Sequence, residues 1–220
     1  MSNHSPLPFA EPPHGCRRCS RLVNLRKSLR SEKPDWWNAP VPAFGEPDAW
    51  LAIIGLAPGK EGANRTGRAF TGDASGDLLF ATLDKTGLSS GRFQSNANDG
   101  VTLNGTMILN AVRCLPPENK PTGAEINACR DYLKKSINAL PQLRIMLALG
   151  KIAHDSIIRM AGLRLADYKF AHAAEHVLPD GHILIDSYHC SRYNVNTKRL
   201  TAEMFEQVFR RACDLGSHQP

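Results

Sequence analysis

The sequence predicts an α/β fold, a three-layer α/β/α sandwich around a short, mostly parallel four-stranded sheet. Three observations lead there. Four short apolar runs, at 50–55, 106–110, 145–149 and 182–186, have the length and composition of strands buried on both faces. Segments with apolar residues at helical spacing lie between them, and such alternation builds helices over a parallel sheet. The chain has 220 residues, 42% hydrophobic and 22% charged, which suits one soluble domain with one sizeable core.

Residues 1–13 are rich in proline and polar groups and read as a mobile tail, residues 14–216 as a single domain, and residues 217–220 as a second short tail. Leu22 to Arg30 reads as a short basic helix. Pro34 to Pro47 holds Trp36, Trp37 and four prolines, the composition of an extended loop anchored by aromatics. Trp50 to Gly55 is the first strand. Asp77 to Leu83 follows as a helix, with Gly87 as its stop. Thr106 to Asn110 is the second strand. Thr122 and Glu125 form a capping box ahead of a helix whose apolar face carries Ile126, Tyr132, Leu133, Ile137 and Leu140. Ile145 to Leu149 is the third strand, and Gly150 leads into a helix reaching Met160. His182 to Asp186 is the fourth. The last helix, about Thr201 to Leu215, buries Met204, Phe205, Val208 and Phe209.

The longest apolar run, Trp50 to Ala57, is too short to cross a bilayer, and the first residues have no secretory pattern. A cytoplasmic protein with no membrane partner is expected. Six cysteines in such a chain favour reduced thiols or metal ligands over disulfides. The net charge of +6 permits a polyanionic partner without requiring one.

Parallel sheets place their sites in loops at the carboxyl ends of the strands. The first such loop runs from Gly55 to Gly76. It is not a P-loop, because Gly55 and Gly59 are one residue too close and Glu61 stands where a hydroxyl is needed. What remains is a glycine-rich loop with free backbone amides, Phe70 and Asp73. The second strand ends at Asn110, whose amide offers a donor and an acceptor side by side, as the edge of a nucleobase requires. A plain strand-end turn is the alternative. The fourth strand leads to His189, a general acid, an electrophile or an ordinary loop histidine, with Ser191 and Arg192 placed to meet phosphate.

The cysteines form two separated pairs. Cys16-x-x-Cys19 points two sulfurs one way; Cys114 and Cys129 are too widely spaced for a zinc knuckle. Unequal spacing fits a cubane iron–sulfur cluster, whose corners accept thiolates from several directions. Two ordinary reduced pairs are the alternative.

The C-x-x-C, the N-A-V-R-C…C segment and the H-C-S-R-Y-N loop, with the long first loop G-L-A-P-G-K-E-G-A-N-R-T-G-R-A-F-T-G-D, together resemble the iron–sulfur branches of the uracil-DNA glycosylase superfamily, and the first loop looks like the type 5 branch. The resemblance spans about Cys16 to Ala212. It implies hydrolysis of the bond between deoxyribose and uracil or another deaminated or damaged base in DNA, by a single domain that carries a [4Fe-4S] cluster and acts as a monomer. Cys16, Cys19, Cys114 and Cys129 match the cluster ligands; Cys190 and Cys213 do not. Gly55, Leu56, Ala57, Pro58 and Gly59 would line the base pocket, Phe70 would stack on the flipped base and Asn110 would read its edge. His189 would steady the negative charge on the departing base. Asp73 would sit on the sugar side as a fixed anion or water-orienting group, unless it only caps a helix beginning near Ala74. Arg65, Arg68, Ser191, Arg192 and Lys198 would contact DNA. Two positions depart from related patterns: Leu56 replaces the acidic residue of the type 4 branch, and Cys190 stands where proline usually follows the histidine. A damaged-DNA binding protein that does not cleave, and a metal-stabilised nucleotide-binding module, are the competing readings.

Overall fold

The structure, a computed structural model, describes residues 11–217; residues 1–10 and 218–220, which hold most of both expected tails, lie outside the described residues. The strands are β1 (Phe44–Gly45), β2 (Leu51–Gly55), β3 (Ser89–Ser90), β4 (Thr102–Leu103), β5 (Thr106–Asn110), β6 (Ile145–Leu149), β7 (Glu175–Val177) and β8 (Ile183–Ser187). The α-helices are α1 (Ser20–Glu32), α2 (Ala63–Thr66), α3 (Ala74–Lys85), α4 (Gly123–Asn138), α5 (Lys151–Met160), α6 (Arg192–Asn196) and α7 (Ala202–Ser217), with a 3₁₀ turn at Pro117–Asn119.

The main sheet has six strands in the order β1-β5-β2-β6-β8-β7, which corrects the expected four. The four expected strands are its parallel centre; β1 and β7 are added antiparallel at the two edges. These edge strands are two and three residues long, so neither shows a readable pattern in the sequence. β3 and β4 form a separate short ribbon.

Alternate residues of the central strands feed two buried layers. Leu51, Ile53, Ile108, Leu147 and Ile185 pack with Leu79, Phe80 and Leu83 of α3 and Phe205, Val208 and Phe209 of α7. Ala52, Ile54, Leu109, Met146 and Leu184 pack on the other face with Leu133 and Ile137 of α4 and Ala153, Ile157 and Ile158 of α5. Burial on both faces is why these strands read as continuous apolar runs. Met204, expected in the core, is only half-buried.

Helix starts are built as the sequence implies. Thr122 Oγ1 accepts from the Glu125 backbone N–H at 3.3 Å, and Glu125 Oε2 accepts from the Thr122 N–H at 2.8 Å. Glu125 also takes a two-pronged bond from Arg21, at 2.8 and 2.7 Å, which fastens α1 beside α4. That contact brings the N-terminal cysteine pair toward Cys129. The expected tail does not extend to Glu11–Pro13. Glu11 accepts from the Ala43 N–H at 3.0 Å and pairs with Arg113 at 3.3 Å, and Pro12 is buried. At the other end Ser217 is the last residue of α7. No described helix is long and apolar enough to cross a membrane.

Candidate functional site

The register of the parallel strands aligns their carboxyl ends. Gly55 of β2 lies beside Asn110 of β5, and Leu149 of β6 beside Ser187 of β8. The loops that leave these ends enclose a cleft of about 340 Å³, within the range of small-ligand sites. Leu56, Ala57, Pro58, Gly59 and Ala63 line it from the first loop, with Phe70, Asp73 and Ser75 from the end of that loop and the start of α3. Asn110, Asn119, His189 and Ser191 complete it. The structure thus brings together residues from three strand ends that are far apart in sequence.

Space for this arrangement is made by glycines. A Cβ on Gly55 would collide with Asn110 Oδ1 and with the Phe70 ring, and one on Gly62 would collide with Asp73 Oδ2. Phe70 is 8% exposed and holds φ +52, a left-handed conformation that costs a non-glycine residue free energy and is kept only where its surroundings fix it. Its ring lies nearly parallel to that of His189, with centroids 6.1 Å apart.

Asn110 is 4% exposed, yet its side-chain amide makes no hydrogen bond to a described residue. The amide lies on the wall of the cleft, where a ligand can take up its donor and acceptor. Asp73 is divided in its roles. Its Oδ1 accepts from the backbone N–H groups of Ser75 at 3.0 Å and Gly76 at 3.3 Å, capping α3, while Oδ2 is turned toward Gly59 and Gly62. Among the residues lining the cleft it is the one carboxylate. Burial lowers the His189 pKa, opposed by the negative charge of nearby Asp73, so the imidazole is a neutral donor at neutral pH. The histidine loop is held without the proline. Cys190 is fully buried with its thiol pushed up by burial and 3.5 Å from the Ser75 carbonyl oxygen. Asn194 Nδ2 donates to the His189 carbonyl at 2.8 Å.

The expected DNA contacts divide. Arg65, Arg192 and Lys198 are exposed, and Ser191 lies on the cleft and caps α6, its Oγ accepting from the Asn194 N–H at 3.4 Å. Arg68 does not reach solvent. It is 6% exposed, pairs through both terminal nitrogens with Asp99 at 2.7 and 2.8 Å and donates from Nε to Thr71 Oγ1. That is a structural ion pair in place of a phosphate contact. Two cleft-side features were not read from the sequence. Asn119, in the 3₁₀ turn, follows Glu118, and both hold positive φ, +57 and +55; the only signal for this turn is the P-P-E-N run. Tyr193 and Val195 of α6 stand in solvent, Tyr193 being 72% exposed.

Cys16, Cys19, Cys114 and Cys129 line a second pocket, formed by the segment before α1, the loop after β5 and the middle of α4. All six cysteines are free thiols. No three of these sulfurs lie within 4.8 Å of one another, whereas thiolates on one zinc ion would stand roughly 3.8 Å apart. Donors are aimed at them: Arg26 Nη1 donates to Cys114 Sγ and the Arg113 backbone N–H to Cys129 Sγ, each at 3.4 Å. Arg26 is 4% exposed, its Nε has no partner, and its other contact is the Cys16 carbonyl oxygen. A buried guanidinium without a carboxylate calls for a nearby anion. Burial raises the Cys129 thiol and pushes the Cys114 thiol up to about 12, so a bound cation favours thiolates at these two. The pocket therefore fits an iron–sulfur cluster, whose four thiolates carry net negative charge.

Fold and cleft together define an α/β protein with its cleft at the carboxyl edge of a parallel sheet. Residues 42–213 match the family model of the uracil DNA glycosylase superfamily, and the chain belongs to that superfamily. It is 44% identical to a type-5 uracil-DNA glycosylase of Thermus thermophilus, over 93% of this chain and 95% of that protein. It is 40% identical to one of Pyrobaculum aerophilum, over 90% and 87%. A type-4 uracil-DNA glycosylase of the same organism is 34% identical over 56% of each chain.

Proposed function

We propose that the protein is a monofunctional base-excision repair glycosylase that hydrolyses the N-glycosidic bond of uracil in DNA, and that the same cleft admits other deaminated or damaged bases. The observation that carries this reading is the amide of Asn110 on the cleft wall, without a protein hydrogen bond, with Phe70 and His189 in the same cleft. The target base must leave the stack, because the duplex hides its glycosidic carbon. Phe70 then stacks on the base, Asn110 pairs with its edge, and backbone amides from Gly55 to Gly59 line its rim. As the bond breaks, negative charge gathers on the base and positive charge on the sugar. Neutral His189 donates to the base oxygen. Asp73 Oδ2 faces the sugar as a fixed anion and holds the attacking water; Leu56 has no group that can do either.

Arg65, Arg192 and Lys198 supply phosphate contacts, and exposed Tyr193 and Val195 suit an apolar wedge against the vacated stack. Cys16, Cys19, Cys114 and Cys129 hold a [4Fe-4S] cluster that clamps the N-terminal segment to α4; when bound it supplies structure and no step of the hydrolysis. Cysteines without disulfides suit a cytoplasmic enzyme, which we take to act as a monomer. Anaerobically purified protein should be brown with about four irons per chain. Cys129→Ala should lose the colour and melt lower, and stoichiometric zinc without iron would defeat the assignment.

The reading is tested with oligonucleotides that each hold one modified base, assayed for alkali-labile abasic sites in single turnover. Uracil should be excised, and Asn110→Ala should change the ranking of bases more than it changes DNA affinity. Binding to uracil-containing DNA without abasic sites would instead identify a non-cleaving damage binder.

A further inference from the structure

Three residues outside the cleft form a buried polar cluster that glycosidic hydrolysis does not use. Asp186 lies in β8, and its side chain is fully buried. His176 of β7 pairs with Leu184 across the two strands, so the pleat turns His176 and Asp186 to the same face, the one covered by α5. His154 projects from α5 toward them and is 1% exposed. One ligand atom from each of the three lies within 4.8 Å of the other two.

A simple histidine–aspartate pair accounts for only half of this cluster. His154 Nδ1 and Asp186 Oδ1 are 2.8 Å apart. Asp186 Oδ2 and His176 Nε2 are both buried, both without a hydrogen bond, and 3.4 Å from each other. Ligand atoms on a tetrahedral zinc ion, at about 2.0–2.1 Å from the metal, are separated by about 3.3 Å. The two orphaned atoms therefore already stand at the spacing of a zinc tetrahedron's edge. His154 is oriented as a ligand too. Its Nε2 donates to the Tyr168 carbonyl oxygen at 2.9 Å, the outer contact that fixes a metal-binding imidazole and leaves Nδ1 for the ion.

We infer that His154, His176 and Asp186 form a second metal site, separate from the cysteine pocket, for a divalent cation of the zinc class. Two imidazoles and one carboxylate give three protein ligands, the number a zinc site takes when a further group holds the fourth position. The site is structural. It adds a tie between β7, β8 and α5 to the backbone bonds, such as Ala173 N–H to Asp186 O at 2.8 Å, and the side-chain contacts, such as Tyr188 N–H to His172 Nδ1 at 3.2 Å, that already hold β7 and the 161–174 segment there.

The test uses holoprotein with its cysteine pocket loaded, so that the thiols do not compete. Dialysis against zinc at about 100 times the dissociation constant should leave one zinc per chain and raise Tm by several degrees, reversed by chelator. Zinc-edge X-ray absorption should show nitrogen and oxygen neighbours at about 2.0–2.1 Å and no sulfur at about 2.3 Å. His176→Ala should melt with the parent in chelator and lose both the bound zinc and the Tm rise. If that variant folds poorly, His176→Gln preserves the volume and serves instead. A protein that takes up no zinc and melts unchanged, a sulfur shell around the metal, or a zinc-dependent rise that survives in the variant would each overturn the site.

Discussion

Asp73→Asn should lower single-turnover excision of uracil by about 100-fold or more while the melting curve stays close to that of the parent. The two oxygens of Asp73 make the separation possible. Oδ1 accepts from the N–H groups of Ser75 and Gly76 and starts α3; an asparagine oxygen caps a helix about as well. Oδ2 faces the loop at Gly59 and Gly62, where the absence of Cβ atoms lets it approach. Only the substitution's loss of charge at Oδ2 bears on an oxocarbenium-like sugar. Asp73→Ala would remove the cap as well and cost about 1 kcal/mol of stability, so it is the poorer probe. His189→Ala should behave differently. It removes a donor to the departing base, and its penalty should be larger for a poor leaving group than for one that leaves easily. Parental rates in a normally melting Asp73→Asn protein would reduce Asp73 to a cap.

Much of this site was legible because its parts are local. The apolar runs at 50–55, 106–110, 145–149 and 182–186 announce doubly buried strands, which the structure bounds at 51–55, 106–110, 145–149 and 183–187, and the residues that end or follow such a run sit at the carboxyl edge whatever the topology. That reasoning reaches Leu56, Asn110 and the loop bearing His189. The capping box at Thr122 and the cap at Asp73 are likewise set within four residues. What was missed depends on distant partners. β1 and β7 exist because β5 and β8 offer edges to pair with, not because two or three residues prefer extension. Asn119 reaches the cleft through two left-handed residues in a turn whose direction is fixed by the cysteine-bearing loop before it and the capped helix after it. The His154, His176 and Asp186 cluster draws on a helix and two strands whose adjacency no spacing reveals.

Arg68 was misread for the same reason. An arginine in a glycine-rich loop looks solvated, but Asp99, 31 positions away, claims it. Arg68→Met, which keeps the apolar stem between the rings of Phe44, Phe80 and Phe93, should destabilise the protein by about 3–5 kcal/mol, because Asp99 is left charged and buried without its partner. Asp99→Asn in the same chain should recover much of that loss. The pH dependence separates this from lost packing. Burial pushes the Asp99 carboxyl up, but the Arg68 hydrogen bonds and the N–H groups of Gln94 and Val101 outweigh it and hold the group at about 2. The unfolded value is about 3.9, so the pair's contribution is complete above pH 4 and fades as pH falls toward 2. In Arg68→Met the hydrogen bonds and charge of Arg68 are gone, so the folded value rises relative to the parent's. Its deficit relative to the parent should therefore narrow as pH drops through the carboxylate range. DNA binding supplies the second half of the argument. At a temperature where the variant is folded, the slope of log affinity against log salt should match the parent's, since Arg68 touches no phosphate, whereas Arg192→Ala should reduce that slope by about one. A lower slope in folded Arg68→Met protein would return Arg68 to the DNA interface.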